Sequence, residues 1–200
     1  MATLEAYNQA LFLMIDATPA TPAWLIKAAL ICAQDLIYLI PLMLAMMWLS
    51  GDDRQRELAL RVYAVTLLAL GANSIIGLLW PHPRPFMIPL GHTFLRHAAD
   101  PSFPSDHLTV FWAAMLTLYF GQRRWTAGLL LAGGVAVAWA RVFLGVHFPL
   151  DMAGAVAVSS IAYVAIVPLW RVRGAGLTRS AIALYQTLFA RPIGLGWLRR

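Results

Sequence analysis

The stretch Trp139-Ala140-Arg141-Val142-Phe143-Leu144-Gly145-Val146-His147-Phe148-Pro149-Leu150-Asp151 decides how this chain is read. It joins two long apolar runs, yet it holds an arginine, a histidine and an aspartate within eleven residues. Ionisable groups are scarce elsewhere: charged residues make up 12% of the 200 and hydrophobic ones 60%. Soluble proteins carry roughly a quarter charged residues, and the mean hydropathy of +0.69 points to an integral membrane protein. Polar groups between two spans are costly unless they face the protein interior or line a site.

Outward from that stretch, residues 125–143 and 149–170 read as the fourth and fifth spanning helices. Residues 23–49, 57–80 and 104–120 read as the first three. Pro41 is a candidate kink in the first span. Asp35, in the same span, is either a functional carboxylate or a helix–helix polar contact. Residues 4–15 place Leu4, Tyr7, Leu11, Phe12 and Ile15 at helical spacing, as in a short amphipathic helix on the membrane surface. Thr18-Pro19-Ala20-Thr21-Pro22 breaks it. The tail, 171–200, alternates basic and apolar residues and reads as a surface amphipathic segment. The expectation is an all-α integral membrane bundle with about five or six transmembrane helices. Residues 1–200 form a single domain, with its core at about 23–170, an interfacial helix over 1–20 and a basic tail from 171.

The net charge of +6 does not indicate nucleic acid, because the basic residues are not clustered among stacking aromatics. They set topology instead. Arg54, Arg56, Arg61, Arg123, Arg124 and the six arginines from Arg171 to Arg200 fall on one side, against Lys27, Arg84, Arg96 and Arg141 on the other. The positive-inside rule makes the first side, with the C-terminus, cytoplasmic. Residues 1–17 lack the basic start of a cleaved signal peptide. The single Cys32 excludes an intramolecular disulfide and a cysteine metal cluster.

Three segments then share the outward face: Pro83-Arg84-Pro85, Pro101-Ser102-Phe103-Pro104-Ser105-Asp106-His107, and Arg141 through His147 to Asp151. Two guanidinium forks suit a tetrahedral anion. The start of the third span adds backbone N–H groups beside Ser105. Two histidines allow one to attack phosphorus and the other to protonate the leaving oxygen. Asp151, four residues after His147, can hold the imidazole in one tautomer. Phosphoryl transfer needs mainly positioning and charge neutralisation, which this set supplies with no metal or cofactor. Each residue also has a plainer reading: arginines snorkelling at span ends, Ser105, Asp106 and Asp151 as helix-start residues, His147 as an interfacial polar group. Their coincidence on one face favours chemistry.

Arg84-Pro85, Pro104-Ser105-Asp106-His107 and Arg141-(five residues)-His147-(three residues)-Asp151 resemble the three-part signature of the type 2 phosphatidic acid phosphatase superfamily. The resemblance spans residues 77–151. It implies His147 as the nucleophile forming a phosphohistidine, Asp151 as its partner and His107 as general acid, with Arg84, Ser105 and Arg141 binding phosphate. The Phe103-Pro104-Ser105-Asp106-His107 form and the run Pro81 to Phe86 are similar to membrane undecaprenyl-diphosphate phosphatases of bacterial envelopes. That branch implies a polyprenyl diphosphate substrate, a bacterial inner-membrane location and a site facing the periplasm or cell exterior.

There are departures. Gly77 stands where the family has a lysine, so one charge is missing or comes from His82, Lys27 or Arg96. Asp106 replaces a glycine and either hydrogen-bonds a loop amide or tunes His107. Ala140 stands where the family often has serine. Asn73, near the end of the second span, is a further auxiliary candidate. A lipid A or phosphatidyl-lipid phosphatase or phosphotransferase is the neighbouring alternative. A non-catalytic transporter using Asp35 and Asn73 is the alternative of another class. Oligomeric state is not legible in the residues.

Overall fold

The computed structural model describes residues 2–199, and all regular structure among them is helical. The helices are α1 (Ala2–Ile15), α2 (Ala23–Gln34), α3 (Leu39–Leu49), α4 (Asp53–Leu79), α5 (Asp106–Phe120), α6 (Arg124–Phe143), α7 (Pro149–Leu188) and α8 (Ala190–Gly194).

Local chemistry explains where the long helices begin. Asp52 Oδ1 accepts from Gln55 N at 2.8 Å while Gln55 Oε1 accepts from Asp52 N at 2.9 Å, a reciprocal cap on α4. Such caps stabilise a helix start by about 1 kcal/mol. At α7, Pro149 fills a first-turn position that needs no N–H donor, and Asp151 accepts from Phe148 N at 2.8 Å. No side chain caps α5, which starts after Ser105.

Helix α5 sits at the centre and packs against α4, α6 and α7. Phe111, Ala114, Met115 and Leu118 share a core with Val62, Leu130 and Val137. Gly133 and Gly134 of α6 let α5 approach closely: a Cβ there would stand 3.0 and 3.2 Å from the Phe111 side chain. Small residues at such contacts are typical of membrane bundles, where packing replaces hydrophobic burial as the driving force. Outside, Leu67, Leu78, Leu129, Ile161 and Val164 are exposed. Residues 23–49, α4, α6 and α7 are each long and apolar enough to cross a bilayer. The chain is an all-α, multi-pass membrane protein. The 15 residues of α5 span only about 22 Å, against a hydrocarbon core of about 30 Å. Because α5 and α6 are joined by a short turn and registered at Phe111, α5 begins about one helical turn below the end of α6. Its first residues are therefore recessed.

The structure differs from the sequence reading in three places. The first span breaks before Pro41: α2 ends at Gln34, and Leu36–Tyr38 form a 3-10 turn. Proline at 41 cannot donate to the Ile37 carbonyl and its ring crowds it, so the distortion falls one turn earlier. Asp35 lies exposed at this break and makes no side-chain hydrogen bond among the described residues, so the expected helix–helix contact is not made. Second, α7 does not end near residue 170. It continues through Pro168 to Leu188, with Trp170, Gly174, Thr178 and Tyr185 buried on one face. Trp170 Nε1 donates to Glu57 of α4 at 3.0 Å, and the Tyr185 ring packs edge-on against Trp48. Third, α1 does more than lie on a surface. Leu4, Tyr7 and Leu11 are exposed, but Phe12 is buried against Phe148, and Asn8 Oδ1 accepts from Leu150 N at 3.1 Å in the first turn of α7.

The segment between α4 and α5 is ordered by polar contacts. Phe94 N donates to Leu144 O at 3.1 Å, Ser102 N to His82 O at 2.8 Å and Ser105 N to Asp151 O at 3.2 Å. His92 N donates to the buried Asp16 carboxylate at 2.7 Å. This loop closes over the ends of α5, α6 and α7, where the site lies.

Candidate active site

His147 lies in the short turn between α6 and α7 and is 2% exposed. Its Nδ1 is 3.0 Å from Asp151 Oδ2. A carboxylate only accepts, so Nδ1 carries the proton and Nε2 keeps its lone pair. Nε2 is 3.0 Å from Arg84 Nη1, a donor matched to that lone pair. The spacing of four places both side chains on one side of the α7 start, and Asp151 is held there. The same Oδ2 accepts from Phe148 N and from the Ser102 hydroxyl. Asp151 is thus both a helix-start residue and the group that orients His147.

Burial lowers the His147 pKa to about 4; the Asp151 bond and charge oppose this, while Arg141 and Arg84 add to it. The imidazole is neutral near pH 7, the state in which Nε2 can act as a nucleophile.

The two arginines are buried alike but engaged differently. Arg84 Nε donates to Asp100 Oδ1 at 2.9 Å and to Asp100 O at 3.1 Å, Nη1 to Val146 O at 2.9 Å and Nη2 to Pro101 O at 3.2 Å. Arg84 therefore braces the loop as well as facing His147. Among the described residues the Arg141 side chain makes one bond, Nη1 to Ala33 O at 3.3 Å, and its buried Nε and the fully buried Ser105 hydroxyl have no partner. A serine at this position ordinarily caps its helix, so here the hydroxyl and the first N–H groups of α5 stay open to an anion. An unpartnered buried donor costs about 1–3 kcal/mol, a cost an incoming phosphate would remove. The His107 side chain, in the first turn of α5, makes no hydrogen bond among the described residues and lies within electrostatic reach of Arg141, His147, His97 and Arg84.

Other sequence candidates take different places. Asn73 Nδ2 donates to Asp106 Oδ1 at 2.8 Å and to Thr109 Oγ1 at 3.0 Å. Asp106 thus pairs with a side-chain amide of α4, and both Asn73 bonds are made by its amide nitrogen. His82 pairs with Glu5 at 3.5 Å and packs edge-on to Trp80 and Phe148, which ties it to α1. Lys27 and Arg96 are exposed and make no ion pair among the described residues. A Cβ at residue 77 would make a tight contact with Pro101 of the loop, at 3.3 Å. Beside it, a cavity of about 330 Å³ is lined by Asn73, Gly77, Leu78, Asp100, Phe103 and Asp106. A larger one, about 470 Å³, lies at the opposite end among Met43, Met46, Leu118, Arg123 and Leu130, away from every polar group of the site. Sequence reasoning missed Ser102, which holds Asp151, and Asp100, which holds Arg84. The His97-Ala98-Ala99-Asp100 spacing was the available signal.

Residues 58–174 match the PAP2 superfamily. The chain belongs to it. This PAP2 protein is 40% identical over 196 residues to YbjG of Escherichia coli (strain K12), provisionally named an undecaprenyl-diphosphatase, covering 98% of this chain and 99% of that one. It is 34% identical over 122 residues to the undecaprenyl-diphosphatase BcrC of Bacillus subtilis (strain 168), covering 60% and 62%. Its fold is similar to the crystal structure of a transmembrane PAP2 type phosphatidylglycerolphosphate phosphatase from Bacillus subtilis, with a TM-score of 0.61 at 18% identity, over 84% and 87% of the chains. The PAP2 protein described here is a membrane phosphatase.

Proposed function

We propose that this protein removes the terminal phosphate of an isoprenyl diphosphate, undecaprenyl diphosphate above all, and so recycles a lipid carrier for cell-wall synthesis. The observation that carries the reading is the His147 pair: Nδ1 fixed by Asp151 at 3.0 Å and Nε2 turned to Arg84 at 3.0 Å. Whole-length likeness to YbjG supports the choice of substrate.

In this reading the terminal phosphate sits among Arg141, the Ser105 hydroxyl and the α5 start, and displaces the Arg84 bond to Nε2. Nε2 forms a bond to phosphorus as the bridging P–O bond breaks, and His107 gives its proton to the departing lipid monophosphate. Water then attacks the phosphohistidine, His107 takes its proton, and the N–P bond breaks to release phosphate. The arginines hold their charge throughout and neutralise the equatorial oxygens. The lipid tail leaves along the exposed Leu78 side of the cavity beside Gly77. Residues 1–200 act as one domain. The arginine-rich end, with Arg54 against Gly121 and Arg199 against Ser50, faces the cytoplasm. The site opens on the outer face.

The test is phosphate release by the purified protein in detergent from a panel of lipid phosphates. The isoprenyl diphosphate should give the highest kcat/KM. A higher value for phosphatidic acid or lipid A would overturn the substrate assignment. His147→Ala should lose about 10³-fold or more in kcat while keeping the wild-type melting transition; near-normal release would reject the phosphohistidine route.

A further inference from the structure

The loop between α4 and α5 carries a histidine with no role in the chemistry above. His97 stands edge-on to His147, with ring centroids 6.3 Å apart and planes at 74°. Its Nδ1 is 3.1 Å from Ala98 O and 3.4 Å from Asp100 Oδ1. Both neighbours are acceptors, so Nδ1 bears a proton, and Nε2 has no partner among the described residues. Asp100 Oδ1 also accepts from Arg84 Nε at 2.9 Å. His97, Asp100, Arg84 and His147 thus form one connected chain of polar contacts. His147 is sealed, but the His97 side chain is one-fifth exposed, on the approach to it.

A diphosphate brings more charge than the terminal-phosphate pocket accounts for. Arg141, Ser105 and Arg84 surround the phosphate that His147 attacks. In an in-line displacement the second phosphate leaves opposite His147 Nε2, on the side of the proton donor His107, and His97 is within electrostatic reach of His107. Gly77 offers no cation there, and Pro101 stands 3.3 Å from where a Cβ would lie. The loop that packs against residue 77 is the loop that carries His97.

We propose that His97, held by Asp100, receives the non-transferred phosphate of a diphosphate substrate and so selects diphosphates over monophosphates. The imidazole donates from Nε2 to an oxygen of that phosphate and from Nδ1 to the Ala98 carbonyl, with the Asp100 carboxylate 3.4 Å away, which requires the imidazolium form. In the empty site, burial and the charges of Arg84 and Arg141 hold the His97 pKa below its usual value, with the Ala98 carbonyl and Asp100 opposing. The other titratable groups facing it are His107 and His147. A bound diphosphate reverses the sign of the nearby charge and draws the proton in.

This inference rests on the diphosphate reading above, and the experiment separates the two. The full-length protein in detergent is assayed with an isoprenyl diphosphate and with the monophosphate of the same tail, as wild type, His97→Ala and His97→Gln. The diphosphate-to-monophosphate ratio of kcat/KM should fall about 10- to 100-fold in both variants, the scale of a lost hydrogen bond to a charged group. The loss should sit mainly in KM for the diphosphate. In the wild type that KM should rise with pH as the imidazolium is lost, and in His97→Gln this dependence should flatten. A ratio within twofold (about) of wild type in a variant with a normal melting transition would overturn the proposal. A wild type inactive on the diphosphate would instead reject the substrate reading, and this inference with it.

Discussion

At the scale of single residues, the site is a set of constraints on one imidazole. Ser102, Phe148 N and His147 Nδ1 converge on one Asp151 oxygen, so the orienting carboxylate is itself oriented. This burial has a consequence for pH. It pushes the His147 pKa down to about 4 by disfavouring the charged form, while an unfolded histidine has a pKa near 6.5. Between those values the unfolded chain binds a proton that the folded chain refuses. The contribution to stability is therefore complete above about pH 6.5 and lost as pH falls towards 4. The melting temperature in detergent should drop over that window, and the drop should be smaller in His147→Gln. Equal drops in the two proteins would show that other groups carry the acid sensitivity.

At the scale of elements, the decisive pairing is between the loop and the α6–α7 turn. Gly145 has φ of +79°, a left-handed conformation open to glycine, and a Cβ there would collide with the His92 carbonyl. The turn that presents His147 thus also seats the loop that presents Arg84, His97 and Asp100. Gly145→Ala combines a strained φ with a backbone collision, and should destabilise by about 1–3 kcal/mol. It should also lower kcat/KM by roughly tenfold or more, since displaced groups lose their alignment. Thermal melts and steady-state kinetics on the same preparation would check both. A variant that loses stability but retains full kcat/KM would show that the loop seat is not needed for alignment.

At the scale of the whole molecule, the two ends of the bundle do different work. The loop-covered end holds the buried histidine and the two buried arginines of the site. The other end is fastened by Arg56, which is fully buried. Its Nε donates to Trp48 O at 3.0 Å, its Nη2 to Arg199 O at 2.7 Å, and its guanidinium lies 4.9 Å from the Tyr185 ring centroid. It joins the α3–α4 turn to the far end of α7 and to the returning C-terminal segment. Arg56→Met leaves two carbonyls without that donor and should cost about 1–3 kcal/mol in stability. The kcat of the folded enzyme should stay within about twofold, because no site residue touches this end. A large fall in kcat without a shift in melting would contradict that separation.

The parts of this protein legible in its residues are those with a short-range period or a local start signal. Apolar runs announced the spanning helices, and Pro149 with Asp151 fitted the start of α7, because these features depend on residues a few positions apart. The His147–Asp151 pair was readable for the same reason. The start of α4 at Asp53, read as 57 from the sequence, is set by the Asp52–Gln55 cap. The continuation of α7 past residue 170 was less so, since the buried face formed by Trp170, Gly174, Thr178 and Tyr185 exists only because α4 and Trp48 lie against it. Tertiary structure alone decided the rest: Arg84 held by Asp100, Pro101 against Gly77, Ser102 on Asp151, and His97 beside His147. These contacts join an irregular loop to helix ends up to 63 residues away. An irregular loop has no period, so its partners are set by the shape into which the helices pack and not by any spacing along the chain.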